Sequence, residues 1–285
     1  MKKVLIILCC VLALQSCNKD NTKNETINGF DINWTGDLGK KEKDAVRDMI
    51  SNMVKVEAGT FYMGAQKDSV LYHNYDEEAT SLEGPVHEVT VSEFYINKYE
   101  VTQLLWEAIM GETPNKEKDM QWEDEFGKGD NYPAYRISYN EVETFIGKLN
   151  EYTGLRFSLP TEAQWEYAAK GGKDTYYSLY AGGGNVLEVA WIDSNSDKCS
   201  EVGKKNANGL GLYDMSGNVW EMCNNWYYDY KDVCDTITSG EDYTGYKVFR
   251  GGSWNTNAQQ ARVTARYRQG IHYRDYNTGF RLVIE

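Results

Sequence analysis

The chain has 285 residues and a formal net charge of −13 at pH 7, with 41% hydrophobic residues. This length and composition suit one large globular domain. An anionic surface repels phosphate backbones and anionic headgroups, so we expect no nucleic-acid partner, and no apolar run is long enough for a transmembrane helix.

The first 16 residues have the pattern of a signal segment. Two lysines precede an apolar run over positions 4–14, which is too short to span a bilayer. The sequence LQSC at 14–17 resembles a bacterial lipoprotein cleavage site, which makes Cys17 the expected lipidation site. We therefore expect residues 1–16 to be removed and the protein to be lipid-anchored in the bacterial cell envelope, at the outer membrane. An ordinary secretory signal cut nearby is the alternative.

Composition predicts the domain boundaries after the signal. Residues 17–42 are rich in Asn, Lys, Asp, Thr and Gly and predict a flexible tether. Residues 43–285 predict one domain, which opens with a short helix because apolar residues follow one helical face at Val46, Met49, Ile50 and Met53.

Three further helices are predicted along the chain, with strands and long loops between them. The first covers 103–110 between the cap Thr102 and Gly111, the second begins at the capping box of Ser138, and the third begins at Thr161. Strand-like stretches are Val54–Met63, Val86–Tyr99, Lys247–Arg250 and Phe280–Ile284. The pattern predicts an α+β domain that is rich in loops and has little regular secondary structure.

Three cysteines remain beyond the signal and the lipidation site: Cys199, Cys223 and Cys234. Their spacing matches no zinc pattern, and an odd number leaves at least one thiol unpaired. Which two of them could form a disulfide stays open at this point.

Seven motifs follow one another in a diagnostic order. They are GTFYMG (59–64), PVHEV (85–89), EVT (100–102), LPTEAQWEYAA (159–169), NGLGLYDMSGNVWE (208–221), RGGSW (250–254) and GFR (279–281). Together they resemble the formylglycine-generating enzyme, or sulfatase-modifying factor, family over about residues 54–284. The resemblance implies a compact variant of the C-type lectin fold. Arg250 and Arg281, in the last two motifs, are expected to hold buried carboxylates or carbonyls.

The resemblance also implies where a catalytic centre would lie. Active members of the family oxidise a sulfatase cysteine to formylglycine with oxygen and a copper ion held by two cysteines. The corresponding positions here are Thr256 and Ala261, which offer no thiolate for Cu(I). We therefore expect no copper and no catalytic residue. A divergent oxidoreductase of the same family with a different centre is the alternative, although the three histidines show no metal-ligand spacing.

A calcium loop is predicted around the tight turn at Gly217. Asp214 and Glu221 can supply carboxylate oxygens, while Gly217 and Val219 can supply carbonyls, which together suit a hard cation. The resembled family binds a structural calcium at the matching positions. The alternative is that both carboxylates cap turns or pair with arginine.

A candidate ligand-binding face is predicted over residues 254–278. Tyrosine supplies contact area at low entropic cost, while Asn and Arg supply adaptable hydrogen bonds. The candidate contacts for a protein or glycan ligand are Trp254, Asn255, Asn257, Tyr267, His272, Tyr273 and Tyr276. The segment also resembles the variable region of lectin-like binding proteins diversified by retroelements. A solvated loop cluster, or a structural partner in an envelope assembly that uses another surface, remain alternatives.

Overall fold

The computed structural model describes residues 24–114, 120–174, 178–230 and 245–285. The signal segment, Cys17 and Cys234 lie outside these residues. The α-helices are α1 (Lys40–Ser51), α2 (Gln103–Met110), α3 (Tyr139–Thr153), α4 (Glu162–Ala169) and α5 (Val186–Val189). The strands are β1 (Glu25–Ile27), β2 (Phe30–Ile32), β3 (Met53–Val56), β4 (Gly59–Met63), β5 (His87–Val91), β6 (Phe94–Asn97), β7 (Phe157–Ser158), β8 (Trp220–Trp226), β9 (Tyr246–Arg250), β10 (Arg266–Gly270), β11 (Thr278–Gly279) and β12 (Val283–Ile284).

The helix starts predicted at Thr102, Ser138 and Thr161 and the helix end predicted at Gly111 are confirmed because they depend on local capping, whereas Met53, expected on the first helix, begins β3. The Thr102 hydroxyl accepts a hydrogen bond from the Leu105 amide, and α2 ends at Gly111 in the left-handed region with φ 76°. Ser138 and Glu141 form the capping box that begins α3. Thr161 and Gln164 form the one that begins α4.

Within the described residues, two four-stranded sheets organise the domain, in the orders β3-β6-β12-β7 and β10-β9-β8-β11. Their contacts are antiparallel except that β11 lies parallel to β8. β4 and β5 form a separate antiparallel pair. The last segment of the chain serves both large sheets, since β11 joins one and β12 the other. It thereby ties them together.

A buried aromatic group fills the space beside α2 and α3. Trp106 stacks on Phe145 with ring centroids 5.3 Å apart, and the Phe280 ring meets Phe145 edge-on at 5.5 Å. All three side chains are nearly or fully buried. Phe280 lies inside the GFR motif, so packing in the core explains one of its three residues.

The tether assignment for residues 17–42 was wrong over the part that the structure describes. β1 and β2 form a hairpin, and Ile32 and Trp34 are buried at 0% and 4% exposure. The Asn28 side-chain amide donates to the carbonyls of Ile50 and Met53, at 3.1 and 2.8 Å. A few apolar residues among many polar ones are therefore enough to hold this segment against α1 and β3.

Among the described residues, none of the helices combines the length and the apolar character that crossing a bilayer requires.

Candidate functional site

The RGGSW segment begins with a buried arginine that joins three elements. Arg250 is 0% exposed and donates to Glu166 and, at 3.3 Å, to Glu162, both on α4. It also donates to the Val263 carbonyl at 2.8 Å. This confirms the prediction that Arg250 holds buried carboxylates. Burial favours the neutral form of Glu162, but Arg266 and Arg250 outweigh that effect and lower its pKa.

The two glycines that follow set the path of the next segment. Gly251 and Gly252 have φ of 93° and 75°, in the region that favours glycine. A Cβ at Gly252 would lie 2.8 Å from the Gln260 carbonyl oxygen and 2.9 Å from the Ala261 Cα. This close approach packs residues 260–261 directly against Gly252.

The two residues that were expected at the copper-ligand positions, Thr256 and Ala261, take part in hydrogen bonding and packing. The Thr256 hydroxyl accepts from the Ser253 amide at 2.9 Å and donates to the Ser253 carbonyl at 2.8 Å. Ala261 is fully buried, and its carbonyl accepts from the Ser216 hydroxyl at 2.7 Å. Both residues therefore have structural roles in a compact turn.

The cysteines that the structure describes are poor nucleophiles. Cys199 and Cys223 are buried free thiols, and the Cys199 thiol donates to the Phe126 carbonyl. Burial raises the pKa of both thiols well above the usual range. Burial therefore favours the neutral thiol at both positions.

The structure brings three of the predicted contact residues together as a tyrosine cluster. Tyr267 and Tyr273 are 38% and 39% exposed, and Tyr267 stacks on Trp220 with ring centroids 5.1 Å apart. Tyr273 donates its hydroxyl to Asp275 and lies within electrostatic reach of Tyr267 and Tyr276. We call Tyr267, Tyr273 and Tyr276 the tyrosine face.

Trp254 does not belong to an exposed face, contrary to expectation. It is 9% exposed, its indole N–H points to the Tyr276 carbonyl, and its ring lies 5.7 Å from that of Tyr276. Tyr276 is itself half-buried because it stacks on Phe126 at 4.4 Å. Trp254 thus supports the tyrosine face from beneath.

The remaining candidates lie beside the tyrosine face with different roles. The Asn255 carboxamide oxygen accepts from Ser253 and from Asn277, each at 2.8 Å, which fixes its orientation. Asn257 caps the 3-10 helix Ala258–Ala261 through its side chain. His272 is exposed next to Tyr273.

The predicted calcium loop is only partly free to bind a cation. Both carboxylate oxygens of Glu221 accept from the Arg281 guanidinium at 2.6 Å, and one also accepts from the Trp165 indole at 2.7 Å. Glu221 therefore has the arginine partner that was the alternative interpretation. Gly217 and Asn218 continue the turn by hydrogen bonding to Gly251 and Trp191.

Asp214 differs from Glu221. It is 2% exposed, and one carboxylate oxygen accepts from the Gly203 amide at 2.7 Å while the other is buried without a hydrogen-bond partner. Burial is the main cause that raises its pKa to about 6, and the charge of Glu221 adds to the effect. An unpartnered buried carboxylate oxygen fits a cation.

Sequence reasoning missed Glu100, which lies in the EVT motif. It is 2% exposed and one of its oxygens is also buried without a partner, as is the Asn97 side-chain oxygen. Burial, followed by the charges of Asp214 and Glu221, raises the pKa of Glu100 well above its usual value. The only signal in the sequence was a charged residue before a helix cap. In the described part of the chain, no three His, Cys, Asp or Glu residues are grouped so as to hold a metal ion.

Comparison with known proteins places this geometry in a family. A family model described as "Sulfatase-modifying factor enzyme 1-like domain" matches residues 39–285. The chaperone protein LppX of Paenibacillus barcinonensis is 31% identical over 219 residues, which cover 62% of this chain and 74% of that protein. The formylglycine-generating enzyme of Mus musculus is 25% identical over 305 residues, which cover 83% of this chain and 76% of the enzyme.

A solved structure agrees with the fold. PvdO from Pseudomonas aeruginosa superposes with a TM-score of 0.68 at 25% identity, over 82% of this chain and 94% of PvdO. The α+β fold expected from the motifs is thus confirmed. The chain belongs to the family of sulfatase-modifying factor enzyme 1-like domains.

Proposed function

We propose that this protein is a non-catalytic binding domain that recognises a protein or glycan ligand through the tyrosine face. The proposal rests on which side chains are buried and which are exposed after the RGGSW turn. Thr256 and Ala261 complete a buried turn where copper ligands would stand, while Tyr267 and Tyr273 expose their rings nearby in the chain. Aromatic rings held by stacking offer contact area with little ordering cost on binding.

A protein ligand is the partner that we favour. The name of the Paenibacillus relative, a chaperone protein, supports it. We also propose that the domain is anchored through a lipid on Cys17 at the outer membrane of a bacterial envelope. Only residues 18–24 separate Cys17 from β1, and such a segment reaches about 25–30 Å when fully extended. The binding domain would therefore stay close to the membrane.

The first experiment separates binding from oxidase chemistry. The purified protein is loaded with Cu(I) in competition with a chelator, then incubated with oxygen and a cysteine peptide of the sulfatase type. We expect neither stoichiometric copper nor an aldehyde product. Aldehyde formation that depends on this protein would defeat the non-catalytic assignment.

The second experiment locates the ligand surface. A protein and glycan array is probed with the unaltered chain and with the double variant Tyr267→Ser/Tyr273→Ser. We expect the variant to lose at least about tenfold in affinity for any ligand found, equivalent to 1.4 kcal/mol. Tyr62→Ser is the matched control, because Tyr62 is also 38% exposed but lies on β4. Equal losses in both variants would contradict the proposed face.

We further propose that a structural calcium ion binds at Asp214, with carbonyls of the Gly217 and Val219 turn as additional ligands. The unpartnered oxygen of Asp214 supports this set, and the neighbouring oxygen of Glu100 extends it. Removing calcium with a chelator should lower the melting temperature, and adding calcium should restore it. Asp214→Asn should abolish that calcium dependence. An equal calcium response in the variant would remove Asp214 from the site.

A further inference from the structure

A buried lysine on β9 has no carboxylate partner. Lys247 is 5% exposed, and among the described residues no carboxylate forms an ion pair with its amine. Lysine is seldom buried in this way, because an ammonium that leaves water needs an opposite charge as compensation. Lys170 has the usual arrangement: its side chain is 9% exposed, and its amine lies 2.6 Å from the Glu166 carboxylate. Lys247 therefore departs from the rule that this fold otherwise follows.

The Lys247 amine contacts one backbone carbonyl and two aromatic rings. Nζ donates to the Asn224 carbonyl at 2.7 Å, and it lies 4.0 Å from the Trp226 ring centroid and 4.3 Å from that of Tyr139. The Asn224 carbonyl is within reach because the pairing of β8 with β9 shifts register between Met222 and Trp226. The rings and the carbonyl hold the amine in place, but they supply no full negative charge.

This environment favours the neutral amine. Burial is the main cause that lowers the pKa of Lys247 to about 8, although the charge of Glu143 acts in the opposite direction. With that pKa, roughly one Lys247 amine in eleven is neutral at pH 7, compared with about one in 3,000 for an exposed lysine. A neutral amine in a desolvated setting is a nucleophile for carbonyl carbon.

The amine adjoins the protein surface and the tyrosine face. Gln269 lies directly opposite Lys247 in the pairing of β10 with β9. Gln269 and Trp226 are half-buried, and Asn224 is exposed. The Gln269 side-chain NH₂ donates to the Tyr267 hydroxyl at 3.0 Å. The side chains around the amine thus reach the surface on β8 and on β10, which gives a small molecule a short path to it.

We propose that Lys247 is a covalent binding site for small aldehydes or ketones, which it holds as an imine. The lone pair of the neutral amine adds to the carbonyl carbon, and a proton moves from nitrogen to the carbonyl oxygen. The carbinolamine then loses water, so that a C=N bond replaces the C=O bond and no oxidant or reductant is consumed. The Trp226 and Tyr139 rings offer an apolar substituent of the carbonyl compound a surface for packing. This site does not depend on the ligand proposed for the tyrosine face.

The test uses propanal and benzaldehyde as probes on the purified protein, with cyanoborohydride to reduce each imine to a stable amine. Mass spectrometry of the peptides gives the rate of modification at each lysine. At pH 7 we expect Lys247 to react at least about tenfold faster than Lys55 and Lys204, whose side chains are 49% and 55% exposed. The neutral fractions alone give a ratio of about 300, and burial slows the access of the probe.

The pH profile separates a lowered pKa from simple exposure. Modification of Lys247 should increase up to about pH 8 and then become constant. Tyr139 stays protonated over this range, because burial raises its pKa. Modification of Lys55 and Lys204 should continue to accelerate up to about pH 10, because both are exposed and the pKa of each is raised by a carboxylate partner.

Gln269→Glu supplies the missing carboxylate opposite Lys247. The new charge should favour the ammonium and slow the modification at pH 7 by at least about tenfold, which corresponds to one unit of pKa. Gln269→Met is the matched control, because it changes the same side chain without adding a charge, and its rate should stay within about twofold of the original. Lys247→Arg should remove the modified peptide altogether. Thermal melting verifies that each variant folds, and Asn224→Asp serves as the carboxylate variant if Gln269→Glu does not.

Three results would overturn the proposal. One is a Lys247 that reacts no faster than Lys55 at pH 7, since its amine would then be charged or out of reach. Another is a rate at Lys247 that continues to increase up to pH 10. The third is a folded carboxylate variant that reacts as fast as the original protein, which would mean that the missing partner does not determine the reactivity.

Discussion

The protein buries carboxylates in two contrasting environments. In the first, arginines accompany them: Arg266 donates to Glu162 at 2.6 and 2.9 Å, and Arg262 donates to Glu83 at 2.8 and 2.9 Å. The pKa of Glu162 and that of Glu83 are both lowered, although burial alone would raise them. In the second, Glu100 and Asp214 keep unpartnered oxygens and their pKa values are raised.

The difference separates structural charges from a candidate ligand site. A paired carboxylate keeps its charge because the guanidinium replaces the lost water, and it holds distant segments together. Among the described residues, Glu100 and Asp214 have no arginine partner, and each keeps one buried oxygen without a hydrogen bond. The same interior thus contains both fixed cross-links and incompletely partnered carboxylates.

Arg281→Met should have the largest effect on the free energy of unfolding, because it leaves a buried carboxylate without its arginine partner. Glu221 is 0% exposed and would lose its arginine partner at both oxygens. Breaking a buried pair in this way costs about 3–5 kcal/mol of unfolding free energy. Urea unfolding measures the loss. Arg156→Met is the control, since Arg156 is exposed, and a similar loss in both variants would contradict a special role for the buried pair.

The buried pairs also show which features of the interior could be predicted from the sequence. Arg250 and Arg281 were expected to hold carboxylates because a guanidinium suits an irregular interior, and they do. Their partners could not be named, since Glu166 and Glu221 lie far away in the chain and are chosen by the tertiary fold. Helix ends such as Thr102 and Gly111 were predictable because capping involves only neighbouring residues.

The errors have the same physical origin. Residues 25–34 look polar in composition, yet the hairpin is stabilised by contacts with α1 and β3 that the local sequence does not reveal. Trp254 was assigned to the ligand face, but its burial depends on Tyr276, more than twenty residues later. Glu100 was missed because an unpartnered oxygen is a property of the folded interior.

Asp214→Asn should have the next largest effect on the free energy of unfolding, and it should raise that free energy. The folded-state pKa of Asp214 is raised to about 6, so its contribution to stability is present below the unfolded pKa near 4 and is lost as pH rises through 6. With calcium chelated at pH 7, the variant should therefore be more stable by about 3 kcal/mol.

The pH dependence provides the check on Asp214. The advantage of Asp214→Asn in urea unfolding should shrink as pH falls and vanish below about 4, where Asp214 is protonated in both states. Asp130→Asn, at an exposed position, should show no such advantage. A variant less stable than the original protein at pH 7 in chelator would mean that Asp214 already has a partner.

Arg274→Met tests an intermediate case at the start of α3. Arg274 donates to Glu141 at 2.9 Å, with 28% and 26% of the two side chains exposed. Burial raises the pKa of Glu141, but Arg274 and Ser138 together lower it below the usual value. The stabilisation is fully present above the pKa of Glu141 in the unfolded chain, and it is lost as pH falls through the pKa of Glu141 in the folded protein. We expect a loss of about 1 kcal/mol at pH 7 and none at pH 2, measured by urea unfolding. A loss that persists in acid would reflect packing of the arginine stem.

Lys55→Met should have the smallest effect and completes the comparison. Lys55 contacts Glu93 at 3.0 Å, a distance similar to those of the buried pairs, but 49% and 52% of the two side chains are exposed. Water already solvates both charges, and salt screens their attraction. We expect no measurable change in the urea midpoint at any salt concentration. A clear loss would mean that pair geometry, and not burial, determines how strongly an ion pair stabilises this fold, and the division between the two environments would then fail.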